Sequence, residues 1–318
     1  MKYLFKNILE VKFLMMVMIF SSILSSCSSD SLSEEPVMSD ETVSLTFNIE
    51  AEDLDLTRSS EDLNHINRII GAVYDLKGNL LPEFGNNDKG QIVIDVKEFP
   101  ISLELTLIKG QQYNIVFWGQ NSECGTFDTS DLKAVKVDYS KLPTIGNECE
   151  AFSKSEVFTV VADGIRKITL TRVFARLNIM MTPSDFKSVE NEKGSVSATR
   201  LNASSLYNTF NAVINEVTEQ EENAVFNVSQ IVEIESESGI GTDFDNVKLL
   251  VSAFMFAPNN SDKFDNLNLE FFPGENDATN ALIDLKLNDI PLQRNWNTNI
   301  FLSAETVLQK ESENNNNK

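Results

Sequence analysis

The chain has 318 residues, with 26 Lys+Arg against 48 Asp+Glu and a formal net charge of −22. That balance excludes a nucleic-acid binder, which depends on basic patches, and docking on anionic lipid through charge. Hydrophobic residues make up 42%, with 21 Phe and only 13 Gly, so a real core can form and collagen-like or long disordered character is excluded. At the start of the chain, Lys2, Lys6 and Lys12 precede an apolar run from Phe13 to Leu24, which closes in Leu24-Ser25-Ser26-Cys27. A basic start, about a dozen apolar residues and small residues before a cut form an export signal. A cysteine directly after the cut reads as a lipoprotein signal peptide over residues 1–26, with the lipid on the Cys27 thiol and Cys27 as the first mature residue; the alternatives are an ordinary signal peptide with a chance cysteine, or an uncleaved anchor. The run is too short to cross a bilayer of ~30 Å, which takes about 20 apolar residues. Three Lys and one Glu fall before Cys27, so the remainder carries a formal charge of −24. Lipid, not charge, must then hold the protein at the membrane.

The mature chain suits two domains of ordinary size better than one. Residues 27–41 are acidic and Ser-rich and read as a solvated tether. Val43, Leu45, Phe47 and Ile49 then alternate strictly with polar residues, the period of a strand with one buried face. Ala51 to Glu61 breaks the pattern and reads as a loop. Ile66 to Leu76, turned back at Lys77-Gly78-Asn79, gives a hairpin signal. Asn86 to Gly90 is another turn, followed by Ile92–Val96. Alternation returns at Ile101, Leu103, Leu105 and Leu107, then Tyr113–Trp118. Further strand candidates are Leu132–Tyr139, Val157–Val161, Ile165–Thr171 and Arg172–Thr182. Ser184–Ser205 is polar and reads as a long loop. Asn208–Val217, Ala224–Val228, Val247–Phe256, Leu267–Phe272, Ala281–Leu287 and Thr298–Val307 complete the strands, and the Asn-rich tail 309–318 is expected to be disordered. No amphipathic helix of three turns stands out. Many short strands predict an all-β protein, two sandwiches in tandem over residues 42–171 and 172–308.

Chemistry is sparse. The single histidine, His65, reads as a loop or edge residue. No Gly-x-Ser-x-Gly, His-Glu-x-x-His, phosphate loop or dinucleotide fingerprint occurs. Zinc would need clustered Cys or His, and the turn-like Asn86-Asn87-Asp88 and Glu275-Asn276-Asp277 lack the ligand spacing of a calcium loop. No catalytic residue, cofactor or metal is therefore expected. In an oxidising setting, Cys124 and Cys149 can form a disulfide or remain two half-buried thiols. Trp118 lies mid-strand. Trp296, in the polar turn Arg294-Asn295-Trp296-Asn297, can stack on a sugar ring or fold over the end of a sandwich.

Several segments together resemble a known family: the start at Cys27, Val43–Ile49, Val73-Tyr74-Asp75 with Gly78, Tyr113–Gln120, Leu170-Thr171-Arg172 with Ala175-Arg176, and Arg294-Asn295 with Thr298-Asn299-Ile300. In this order, over residues 40–308, they are similar to the fimbrillin-like lipoproteins of Bacteroidetes, and most to an uncharacterised branch with a Phe-Trp-Ala-Gln strand. Here that strand reads Phe117-Trp118-Gly119-Gln120. The resemblance implies two tandem transthyretin-like Greek-key β-sandwich domains, an outer-membrane or cell-surface location with Cys27 in the lipid, and a place in type V pili. It further implies that a trypsin-like protease cuts after an arginine beyond the first strand. The strand that leaves is then replaced by one from another subunit, a β-strand addition. Arg58 is the one arginine between Cys27 and Arg68, in the loop where that cut belongs. A shaft subunit also needs a C-terminal strand to donate, and Gln309–Lys318 is polar, which favours a terminal or anchoring member. The sequence thus points to a non-enzymatic pilus component, with other pilus subunits as partners. The alternative is a surface glycan-binding lipoprotein of similar build.

Overall fold

A computed structural model describes residues 41–52, 65–143, 149–234, 246–265, 267–274 and 280–309. The signal segment, Cys27, Arg58 and the stretch Glu275-Asn276-Asp277 lie outside them. So do residues 28–40 of the tether and 310–318 of the tail.

The protein is all-β. Its first strands are β1 (Thr42–Ala51), β2 (Arg68–Tyr74), β3 (Ile92–Asp95), β4 (Ile101–Ile108), β5 (Gln112–Gln120), β6 (Phe127–Asp128), β7 (Val135–Val137), β8 (Ala151–Thr159) and β9 (Gly164–Arg172). Seven of them run in the order β3-β2-β5-β8-β9-β1-β4. β8 and β9 share only the pairs Phe152↔Arg172 and Ser153↔Thr171. The sheet folds over at that narrow seam, and its two wings face each other. Period-two alternation decides what lies between them. Val43, Leu45, Phe47 and Ile49 of β1 meet Ile69 and Val73 of β2, Tyr113, Ile115 and Phe117 of β5, and Ile168 and Leu170 of β9. At Gly119 the wings approach closely: a Cβ there would come within 3.1 Å of both Ile69 and Leu170. An alanine in this Phe-Trp-Gly-Gln stretch would require those two terminal methyls to give by a few tenths of an ångström.

The remaining elements are β10 (Phe174–Met181), α1 (Pro183–Lys193), β11 (Ala198–Asn211), β12 (Glu216–Val228), β13 (Val232–Ile234), β14 (Val247–Phe256), β15 (Asp262–Phe264), β16 (Leu267–Phe272), β17 (Ile283–Leu287), β18 (Ile290–Leu292) and β19 (Asn297–Phe301). The second large sheet is built on β17-β16-β11-β14-β10-β19, and β15 pairs with β18 apart from it. β7 pairs with β11 through Thr209↔Lys136 and Phe210↔Val135, so the segment between β5 and β8 crosses from the first set of strands to the second. The even-numbered face of β5 turns the same way. Trp118 is fully buried and packs against Phe127 and Phe210, while its indole N–H donates to Gln120 Oε1 at 2.8 Å. Trp and Gln two residues apart on one strand face thus satisfy a polar atom inside a large aromatic cluster.

Three expectations are corrected. Ser184–Ser205 is not a loop: it holds most of α1 and the start of β11. The helix, three turns long, is capped by Thr182, whose hydroxyl accepts from Asp185 N, with Pro183 in the first turn. Only Phe186 and Val189 of it are buried, too narrow a stripe to register as an amphipathic helix. Asn208–Val217 is not one strand. β11 ends at Asn211, and a turn leads into β12; the Asn211 side chain, which accepts from Val213 N and Ile214 N, fixes that turn. Thr298–Val307 is likewise too long. β19 ends at Phe301, and residues 304–309 are helical, held by Ala304 N donating to Asp185 Oδ1 at 3.0 Å and by the buried Val307.

Candidate functional site

β1 is an inner strand. It pairs antiparallel with β4 from Thr42↔Ile108 to Ile49↔Ile101 and parallel with β9 from Leu45↔Gly164 to Ala51↔Leu170. β4 has no other pairing partner among the described residues, and β4 and β9 meet only through β1. Val43, Leu45, Phe47, Ile49 and Ala51 are all buried. Phe47 lies at the centre, its ring centroid 5.7 Å from Phe158 and 6.1 Å from Phe117. At ~1.5–3 kcal/mol for each of the four larger side chains, taking β1 away would leave about 6–12 kcal/mol of unmet burial. It would also leave two open strand edges with unpaired backbone groups.

The outward face of β1 is polar and lightly fastened. Ser44 N donates to Asp163 Oδ1 at 2.6 Å, and the Ser44 hydroxyl donates to Glu104. Ser102 Oγ donates to Asn48 Oδ1 at 3.0 Å. Glu50 accepts from Lys167 Nζ at 2.6 Å and from Thr169 Oγ1 at 3.1 Å. The Lys167 ammonium, helped by that hydroxyl, holds the Glu50 carboxyl below its ordinary pKa. These exposed contacts fix register more than they add stability. Where the chain enters, Lys109 N donates to Glu41 O at 2.8 Å. Where it leaves, Glu52 N donates to Leu170 O at 2.8 Å and the Asn295 side chain donates to Glu52 Oε2 at 3.3 Å. Residues 53–64, with Arg58, follow from that second end, and the chain resumes at His65, which is half-buried.

Cys124 and Cys149 are joined in a disulfide, their Cα atoms 5.8 Å apart. They stand just after β5 and just before β8, at the root of the segment that crosses to β11. Beside the bridge, Glu150 accepts from Arg172 Nε at 2.5 Å, with both side chains largely buried. Trp296 is 63% exposed. Its backbone is fixed by Arg176 N donating to Trp296 O at 2.9 Å, and Asn295 before it has a positive φ of 64°. Among the described residues its ring stacks on no other ring. The same residues hold no cluster of three or more His, Cys, Asp or Glu placed to bind a metal.

Sequence reasoning found β1 from its alternation. It missed the partners of β1, Asp163 and Glu104 with Ser44, and Lys167 with Glu50. These lie roughly 60 and 120 residues away along the chain, and no local pattern announces them.

Among solved structures, the chain is similar to an adhesin candidate of Bacteroides thetaiotaomicron VPI-5482, with a TM-score of 0.49 and 12% identity over 83% of this chain and 92% of that one. It is similar to the fimbrial anchor protein Mfa2 of Porphyromonas gingivalis, with a TM-score of 0.44 and 11% identity over 77% of this chain and 82% of that one. A polysaccharide-binding candidate (DUF1812) of Bacteroides thetaiotaomicron VPI-5482 gives a TM-score of 0.47 and 12% identity over 77% and 80%. No curated protein matches the sequence. The model of one family matches residues 34–304, nearly the whole described structure, and the chain belongs to that family of unknown function, DUF6562.

Proposed function

We propose that this protein is a lipid-anchored cell-surface component of a pilus, of the fimbrillin-like kind, that accepts a strand from another subunit in the groove now filled by β1. The observation that carries the reading is the place of β1 between β4 and β9, which have no other link across it. In this reading Cys27 holds the chain on the outer membrane during assembly, cleavage after Arg58 frees residues 27–58 and with them the lipid and β1, and a donated strand of matching alternation restores the burial. The division into sandwiches 42–171 and 172–308 belongs to the same proposal.

The C-terminal end supports a terminal or anchoring place. β19 pairs in parallel with β10, and the helical turn behind it is packed on the protein's own Asp185 and core. Such an end is poorly suited to being donated. A glycan-binding role has one feature in its favour, the exposed ring of Trp296. If that role is the principal one, Trp296→Ala abolishes glycan retention and the trypsin-treated chain takes up no added strand.

Brief trypsin treatment of the lipidated protein, read by mass spectrometry and size exclusion, tests the reading. The expected first cut follows Arg58, and the cut protein then exchanges its freed first strand for an added peptide of sequence 42–51. Early cuts at many loops, or a clean Arg58 cut after which no added strand is taken up, would overturn it.

A further inference from the structure

Nine large apolar side chains are exposed among the described residues: Leu76, Val157, Val161, Ile165, Ile214, Val225, Val232, Trp296 and Phe301. The first five gather at one end of the β1–β9 sandwich. The backbone pairings Tyr74↔Asn114 and Asn114↔Val157 place Leu76 and Val157 at that end. Val213 O accepts from the Asn114 side chain at 3.3 Å and from Ser155 Oγ at 2.7 Å, which brings the neighbouring Ile214 there too. Val161 stands in the turn between β8 and β9, next to Val160, whose backbone pairs with Gly110 and Gln111. Ile165, the second residue of β9, follows that turn and lies beside Thr46, midway along β1. Val161 and Ile165, 70% and 73% exposed, are the barest of the nine. Gly164 between them has open space where a side chain would stand.

This is also the end at which the chain from Cys27 enters, through Glu41. Thirteen residues lie between the two, and the fourteen steps reach at most about 50 Å. The opposite end carries Glu52, Asn295 and Trp296. With its net acidic charge, the protein gains nothing from docking on anionic lipid by charge, so any contact with a membrane must be made by apolar side chains.

We infer that this end is the membrane-facing end, and that Val161 and Ile165 dip into the headgroup–acyl boundary of the leaflet that holds the lipid of Cys27. The inference rests on the anchor in the reading above. One lipid group and a few inserted side chains act as two weak signals in concert. The lipid tethers, and the apolar end orients. Oriented so, Trp296 and the Glu52 end of β1 point away from the bilayer.

The test uses full-length lipidated protein on dioleoylphosphatidylcholine vesicles, with and without lipid brominated along the acyl chains. Val161→Trp and Ile165→Trp, each made in a Trp296→Phe background, are expected to lose about half or more of their added emission in brominated vesicles. The wild-type emission from Trp296 stays unchanged. Protein that floats with the vesicles but shows no such quenching would overturn this inference and leave the anchor standing. Protein that does not float would overturn the anchor and the inference together. Concentration-dependent dimers of unlipidated protein that Val161→Asp abolishes would assign the end to a second copy of the chain instead.

Discussion

Phe47 meets Phe158 edge-on across the sandwich, their ring centroids 5.7 Å apart. One ring belongs to the strand proposed to leave and the other to the wall that stays. The pair is therefore the point where the stability of the fold and the exchange of β1 are coupled. Phe47→Ala opens a cavity in a fully buried site and is expected to cost about 3–5 kcal/mol. A urea titration of the uncut protein checks this through the midpoint. In the cut protein the same change is expected to speed loss of the 27–58 fragment, because less burial holds it. A midpoint shift equivalent to less than ~1 kcal/mol would mean that Phe47 is not the keystone of β1.

The disulfide closes a segment of 25 residues at its root. In the chain-entropy account a loop of that length is worth about 3.5 kcal/mol against the unfolded state. Cys124→Ser with Cys149→Ser is expected to lower the urea midpoint accordingly, and a reducing agent is expected to lower the wild-type midpoint to match. Equal midpoints for the wild type with and without reductant would show that the bridge carries no such weight.

Acid should release the C-terminal end first. Asp185 accepts from Ala304 N and from the Thr182 hydroxyl, and these hydrogen bonds hold its carboxyl below the ordinary value. A depressed native pKa contributes stability in full above the unfolded value of ~3.9, and that stability is lost as pH falls through the native value. Hydrogen-exchange protection factors of residues 304–309 are expected to drop between about pH 5 and pH 2. In Asp185→Asn they should be nearly flat over the same range. Identical profiles for the two proteins would contradict the link.

Much of the fold was legible because half-buried strands announce themselves. Val43, Leu45, Phe47 and Ile49 alternate with polar residues, and β1 begins and ends within two residues of that pattern. The helix α1 was hidden for the converse reason. Its cap was present in Thr182, Pro183 and Asp185, but two buried side chains make no visible stripe. The start of β11 looked like a loop because Arg200, Asn202 and Ser204 line its outer face and only small or single apolar residues alternate with them. The candidate site was half legible. The strand could be read, but its groove could not. β4 and β9 come to β1 from far along the chain, and long-range pairing leaves no local trace.

The central claim is that β1 is a removable part, and a covalent lock tests it most directly. Asn48 and Ser102 are directly opposed partners on β1 and β4, with their side chains hydrogen-bonded at 3.0 Å on the outer face. Asn48→Cys with Ser102→Cys would tie the strand in place without touching the core. After trypsin and without reductant, the wild type is expected to release residues 27–58 and take up a labelled strand peptide of sequence 42–51, while the locked protein keeps its strand and excludes the peptide. Equal uptake of the peptide by both, or none by either, would contradict the account.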